Sequence, residues 1–185
     1  MNYQDALGLM QEYTKNEALR KHMYAVEAAM RAYARKYGED EEKWAIVAIL
    51  HDFDYEMYPT APDHPSKGSE ILKEKRYPED VRRAILGHAS YMNVPRDSKV
   101  AQVLYACDEL CGFINACAII RPNKIADLEV SSVKKKLKDK AFARNVSRED
   151  ILQGTQELGV PLDEHIQFVI EAMRSDAQRL GLTPS

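Results

Sequence analysis

The feature that most constrains this chain is the spacing of its apolar residues, which recur every three or four positions along nearly all of it. In residues 17–37, for example, Leu19, Val26, Ala29 and Tyr33 follow this spacing. It places side chains on one face of an α-helix, whereas a half-buried β-strand would alternate apolar and polar residues. Alternating β-branched runs are nearly absent. The sequence therefore predicts an all-α protein.

Turn-forming residues divide this pattern into about eight or nine helices. Gly38 is placed to end the second helix, and prolines interrupt residues 53–63 and 90–98, which we predict to be loops. The predicted helices cover residues 2–15, 17–37, 41–52, 65–75, a segment opened by Pro78, 99–119, 124–138, 147–158 and 162–180. We expect all 185 residues to form one domain, a helical bundle with its own hydrophobic core.

Charge and cysteine content argue against several classes of protein. The formal net charge is −3, whereas a general nucleic-acid binder usually carries an excess of lysine and arginine. The one dense basic run, from Lys134 to Lys140, is more typical of a solvated helix face than of a phosphate-binding patch. Three scattered cysteines without a C-x-x-C motif indicate a reduced, cytoplasmic protein. No signal pattern opens the chain, and no apolar run approaches the ~20 residues that a membrane span needs.

Five polar residues interrupt the apolar faces of the predicted helices: His22, His51, Asp52, His88 and Asp108. A buried polar group without a partner costs about 2–7 kcal/mol, and a charged one costs more. A single such histidine is usually a hydrogen-bonded core residue. These five, however, lie on several different helices, and helical bundles build metal sites from facing imidazoles and carboxylates. The sequence therefore predicts a site for a divalent metal ion in the core.

The order of these residues resembles the HD-domain superfamily of metal-dependent phosphohydrolases, and looks like its HDIG-like branch with several histidines. The matching segments are His22, the pair His51-Asp52, HPSKGSEIL from His64, ILGHA around His88 and YACDEL around Asp108. The resemblance covers about residues 17–120. It implies an HD-like metal-binding core over that range and a helical C-terminal extension over about 121–185.

The resemblance also implies a set of metal ligands. His22, His51, Asp52 and Asp108 match the ligands of a primary ion, and His64 and His88 match the positions that complete a second site or contact a phosphate. Asp52 would bridge the two ions and is the residue to which we assign a catalytic role. The implied cofactor is one or two divalent ions per chain, either Mn, Fe, Co, Ni or Mg, with zinc as an alternative.

This chain departs from the family signature after the His-Asp pair. It reads Phe53-Asp54 where the HDIG motif has Ile-Gly, and Tyr55 stands where some branches carry a charged catalytic residue. We therefore assign no general acid, and the roles of Asp54 and Glu56 stay open.

Other residues near the predicted site are candidates for substrate binding. Lys67, in the segment that begins at His64, and Arg96, in the loop 90–98, could each bind a phosphate oxygen. The tyrosines of the two loops, Tyr55 and Tyr91 among them, could stack on a nucleobase. His165 lies outside the pattern, and we expect it to be structural or exposed.

We therefore expect a cytoplasmic phosphohydrolase that uses metal-activated water to cleave a phosphate ester or anhydride of a nucleotide or another small phosphorylated metabolite. Two alternatives are compatible with the same ligands: a non-catalytic module that senses a nucleotide or a metal, and a di-iron oxygenase. The P-loop, Rossmann and zinc-protease motifs are absent. The expected partner is a small phosphorylated substrate rather than a membrane or a nucleic acid, and the oligomeric state stays open.

Overall fold

The computed structural model describes residues 1–185, and all of its regular secondary structure is helical, without a strand. Its helices are α1 (Tyr3–Tyr13), α2 (Glu17–Tyr37), α3 (Glu41–Leu50), α4 (Asp63–Glu74), α5 (Glu79–Gly87), α6 (Lys99–Ile119), α7 (Val130–Leu137), α8 (Arg148–Leu158), α9 (Leu162–Ser175) and α10 (Ala177–Leu180). A short 3₁₀ turn, Ser90–Met92, lies between α5 and α6. The predicted all-α class is confirmed. No helix has both the length and the apolar character that crossing a bilayer requires.

Most helix boundaries lie within two residues of the prediction; for example, α3 ends at Leu50 rather than residue 52. Two helices differ by more, for local reasons. The helix predicted from residue 124 begins only at Val130, because Lys124 has a positive φ of 51° and Arg121 and Asn123 instead bond Asp127 in a turn. The helix predicted over 162–180 is divided at Asp176, whose φ of −117° leaves the helical region. The chain therefore has ten α-helices rather than eight or nine.

Helices α3 and α6 form the centre of the bundle. Every residue from Trp44 to Leu50 is buried, as the aliphatic run of α3 predicts. Helix α3 packs against α1, α2 and α5, while α6 packs against α2, α5, α8 and α9. One hydrophobic cluster extends from Ala6 in α1 to Leu182 at the C-terminal end. This packing brings the C-terminal end of α3, at His51, against the N-terminal part of α2 at His22 and the middle of α6 at Asp108.

The C-terminal extension is fixed to α6 by a buried histidine and a close helix contact. The ring of His165 donates from Nε2 to the carbonyl of Ala106 at 2.7 Å and accepts the hydroxyl of Tyr33 at Nδ1 at 2.6 Å. Burial lowers the pKa of His165, which favours this neutral, structural form. A Cβ atom at Gly154 of α8 would lie 2.8 Å from the Cα atom of Ala106. Only glycine lets α8 approach α6 this closely.

Candidate metal centre

The six residues predicted as metal ligands converge where helices α2 to α6 meet. His22 lies on α2, His51 caps the C-terminal end of α3 with Asp52 after it, His64 lies at the start of α4, His88 caps the C-terminal end of α5, and Asp108 lies in the middle of α6. Five of them line one pocket of about 450 Å³, and His51 lies fully buried beside them.

Four of these residues form what we call the primary cluster: His22, His51, Asp52 and Asp108. Nε2 of His22 lies 2.9 Å from Oδ1 of Asp108 and 3.3 Å from Nε2 of His51. Nε2 of His51 lies 3.3 Å from both Oδ2 of Asp52 and Oδ1 of Asp108. One donor atom from each residue lies within 4.8 Å of all the others, so the cluster could hold a metal ion.

Asp52 also belongs to a secondary cluster with His64 and His88. Its other oxygen, Oδ1, lies 3.2 Å from Nε2 of His64 and 3.2 Å from Nε2 of His88. The two imidazole nitrogens are 3.3 Å apart. Asp52 therefore presents one carboxylate oxygen to each cluster, which is the arrangement a bridging ligand requires.

Backbone carbonyls fix the hydrogen positions on two of the imidazoles. Nδ1 of His51 lies 2.7 Å from the carbonyl oxygen of Ala48, and Nδ1 of His88 lies 2.5 Å from that of Ile85. A carbonyl only accepts, so each Nδ1 carries the hydrogen and each Nε2 of the neutral ring presents a lone pair to Asp52. Lone pairs this close repel one another unless a cation lies among them. The donor set therefore fits a divalent metal ion.

The pKa values of the cluster residues also indicate that positive charge is stabilised at this site. Burial opposes a charge on His64, yet hydrogen bonds to Asp52 and Asp54 outweigh it and raise the pKa of His64 to about 9. Burial also opposes a charge on His51, but the carboxylates of Asp52 and Asp108 hold its pKa well above the usual range. Despite the same burial, His51 holds the pKa of both carboxyls below the usual range. Without a metal, protons supply the positive charge.

Protons and metal ions should therefore compete for the secondary cluster. His64 in the metal-free protein keeps its proton up to about pH 9, and a metal ion must displace that proton to reach Nε2. We expect the apparent affinity for Mn²⁺ to rise by about tenfold per pH unit for each proton displaced, from pH 6.5 to 8.5. Competition with a fluorescent chelator at several pH values measures this slope. An affinity independent of pH would contradict it.

The two residues predicted to bind substrate lie outside the pocket wall. Lys67 is exposed on α4, with its Nζ 3.2 Å from Oε2 of Glu70. Arg96 binds the carboxylate of Glu157 through two contacts of 2.6 Å, and its guanidinium lies 3.6 Å from the ring centroid of Tyr105. The structure does not bring either residue to the primary or the secondary cluster, and their role in substrate binding stays a prediction.

Three further polar residues in the wall of this pocket had no sequence motif to identify them: Glu109, Asn145 and Asp150. Glu109 accepts the backbone N–H of Ser147 at 2.8 Å, which connects α6 to the start of α8. Burial and the charge of Asp108 raise the pKa of Glu109 to about 7. The position of Glu109 beside Asp108 was the only sequence signal for this wall. No lysine or arginine lines the pocket.

The comparison with known families agrees with this geometry. The HD domain family matches residues 19–112, just over half of the chain, and that range contains all six residues of the two clusters. The protein therefore belongs to the HD-domain superfamily of metal-dependent phosphohydrolases. The match does not distinguish the HDIG-like branch, which stays a prediction. No curated protein sequence and no solved structure matched the chain.

Proposed function

We propose that this protein is a phosphohydrolase that cleaves a phosphate ester of a small metabolite, with a nucleotide as the leading candidate. The observation that supports this most strongly is the carboxylate of Asp52, which contributes an oxygen atom to both clusters and lines an open pocket. A phosphate at this position would lie beside the ions that neutralise it.

Each cluster would hold its own metal ion. The primary cluster would hold one ion, the secondary cluster would hold another, and Asp52 would fix their relative position. Bound divalent ions lower the pKa of a coordinated water and neutralise charge on phosphate oxygens. The three cysteines are free and buried, which excludes them as nucleophiles and is compatible with the cytoplasmic location that we propose.

The charge of the pocket favours a substrate with a single phosphate. Glu109 and Asp150 line the wall beyond the ligands, and no lysine or arginine there could pair with a second phosphate. The pocket volume of about 450 Å³ suits a small metabolite. Tyr55 and Tyr91 lie at its rim with exposed fractions of 40% and 50%, and their rings could stack on a base.

We therefore expect the Mn²⁺-loaded protein to prefer monophosphates. Within a nucleoside mono-, di- and triphosphate series assayed at pH 8, where Glu109 is mostly ionised, each added phosphate meets the negative charges of Glu109 and Asp150 and should lower kcat/KM by about tenfold. Phosphate release from the three nucleotides, measured with a generic aryl phosphate alongside, tests this order. Equal rates on the triphosphate would contradict the preference.

The same assay separates the proposal from its alternatives. If no phosphate ester is cleaved with Mn²⁺, Co²⁺, Ni²⁺ or Mg²⁺, the hydrolase proposal fails. Nucleotide binding without turnover would then support a sensing module, and oxygen uptake by the iron-loaded protein would support an oxygenase. Elemental analysis of the untreated protein identifies which metal it retains.

A further inference from the structure

Asp54, which follows the His-Asp pair, has a buried carboxylate whose two oxygens both bind α4. Oδ1 accepts a hydrogen bond from Nδ1 of His64 at 2.7 Å, and Oδ2 accepts the backbone N–H of Gly68 at 2.9 Å. Asp54 is only 1% exposed. Its contacts therefore join the segment after α3 to the start of α4. One of them is to His64, a member of the secondary cluster.

The position of His64 explains why a carboxylate is used. His51 and His88 lie at helix C-termini, where each ring donates to the carbonyl three residues earlier. His64 lies at the start of a helix instead, with an extended backbone of φ −82° and ψ 130°. Its Nδ1 bonds the side chain of Asp54 rather than a carbonyl of its own helix. Asp54 thus supplies the acceptor that the backbone supplies to the other two rings.

This hydrogen bond determines what the other side of the ring can do. A hydrogen on Nδ1, held by Asp54, leaves Nε2 of the neutral ring as a lone pair. That nitrogen faces Oδ1 of Asp52 at 3.2 Å and Nε2 of His88 at 3.3 Å. A carboxylate acceptor also makes the imidazole a stronger metal ligand than a neutral acceptor does.

Only glycine fits at position 68 without displacing the carboxylate of Asp54. A Cβ atom on Gly68 would lie 2.7 Å from both Cγ and Oδ2 of Asp54. A larger residue at this position would push the carboxylate away from His64 without removing its charge. Gly68 therefore offers a second, independent way to disturb the same hydrogen bond.

We propose that Asp54 is the positioning residue of a second metal site, and that its hydrogen bond to His64 decides whether the chain holds two ions or one. This inference rests on the metal centre of the proposed function. Asp54 does not touch the ion itself; it acts by fixing the tautomer and the orientation of the His64 ring. The side chain of Asp54 bonds His64 and Gly68 and no residue of the primary cluster, so that cluster should bind its ion independently of it.

The test is the number of Mn²⁺ ions bound by the full chain, measured by equilibrium dialysis with elemental analysis. We expect two ions for the unchanged protein. In Asp54→Asn the amide has a single acceptor oxygen for two donors and carries no charge, so the second ion should bind about 10–100-fold more weakly. The first ion should keep its affinity. Gly68→Ala should produce the same selective loss.

Asp40→Asn is the matched control. Asp40 caps α3 by accepting the N–H of Lys43 at 3.0 Å and is remote from the histidines, so this variant removes one carboxylate and should keep two ions. Nitrogen NMR of the zinc-loaded protein provides a second readout. It should show the hydrogen of His64 on Nδ1 in the unchanged protein and a mixture of tautomers in Asp54→Asn.

The inference is overturned if the unchanged protein binds fewer than two Mn²⁺ ions, or if both ions bind Asp54→Asn and Gly68→Ala with unaltered affinity. Loss of both ions together would also overturn it, because the effect would then not be confined to the secondary cluster. If the ions bind as expected but no phosphate ester is cleaved, the proposed function fails while the role of Asp54 stands.

Discussion

Replacing Asp52 with alanine should abolish both metal binding and phosphate release. Asp52 gives one carboxylate oxygen to each cluster, so the Asp52→Ala variant leaves neither cluster with its full set of donors. It also removes the carboxylate charge that His51 and His64 both contact. We expect kcat/KM to fall by at least about 10³-fold. Elemental analysis and the phosphate-release assay measure the two effects on the same samples.

Asp97→Ala is the control for this experiment. Asp97 is an exposed carboxylate that pairs with Arg83 at 3.0 Å and does not line the pocket, so its loss should leave metal content and activity unchanged. Asp108→Ala removes a ligand of the primary cluster alone and should also abolish activity. If both Asp52→Ala and Asp108→Ala keep the metal content of the unchanged protein, the ligands have been assigned wrongly.

Removing the metal should lower the stability of the protein as well as its activity. Each cluster holds several lone pairs within 4.8 Å, and a bound ion satisfies them in the folded state only. A ligand present at 100 times its dissociation constant adds about 2.7 kcal/mol of stability. For a chain of this size that corresponds to a rise of roughly 5–10 °C in Tm. Thermal unfolding with Mn²⁺ and after chelation with EDTA measures the difference.

The Asp52→Ala variant supplies the control for this measurement too. Its Tm should not respond to Mn²⁺, because neither cluster is complete. Equal shifts in both proteins would mean that the ion acts elsewhere on the chain. An unchanged Tm with every metal tested would argue against a metal centre of useful affinity.

The convergence of the candidate ligands was predictable because it depends on helical periodicity. His22, His88 and Asp108 occupy positions on apolar helix faces, and such faces must meet in the core of a bundle. His51 and Asp52 follow a run that is too apolar to lie anywhere but the centre. Local spacing therefore carries most of the information about which side chains come together.

Other features of the pocket depend on tertiary contacts that spacing does not encode. Lys67 lies on the exposed side of α4 and not in the pocket wall, and the backbone is irregular three and two residues before it, at His64 and Pro65. The role of Asp54 depends on the approach of Gly68, which lies fourteen residues away. The boundary of α7 depends on the turn held by Asp127. Each requires the fold to be known first.

The close approach of α8 to α6 at Gly154 has a consequence for how such a protein can diversify. The six candidate metal ligands all precede residue 109, whereas Asn145 and Asp150, which line the same pocket, belong to the C-terminal extension. The C-terminal extension therefore contributes to the pocket lining without contributing a candidate ligand. If the proposed function holds, exchanging residues around 145–150 would change one part of the pocket lining while leaving the six candidate ligands in place.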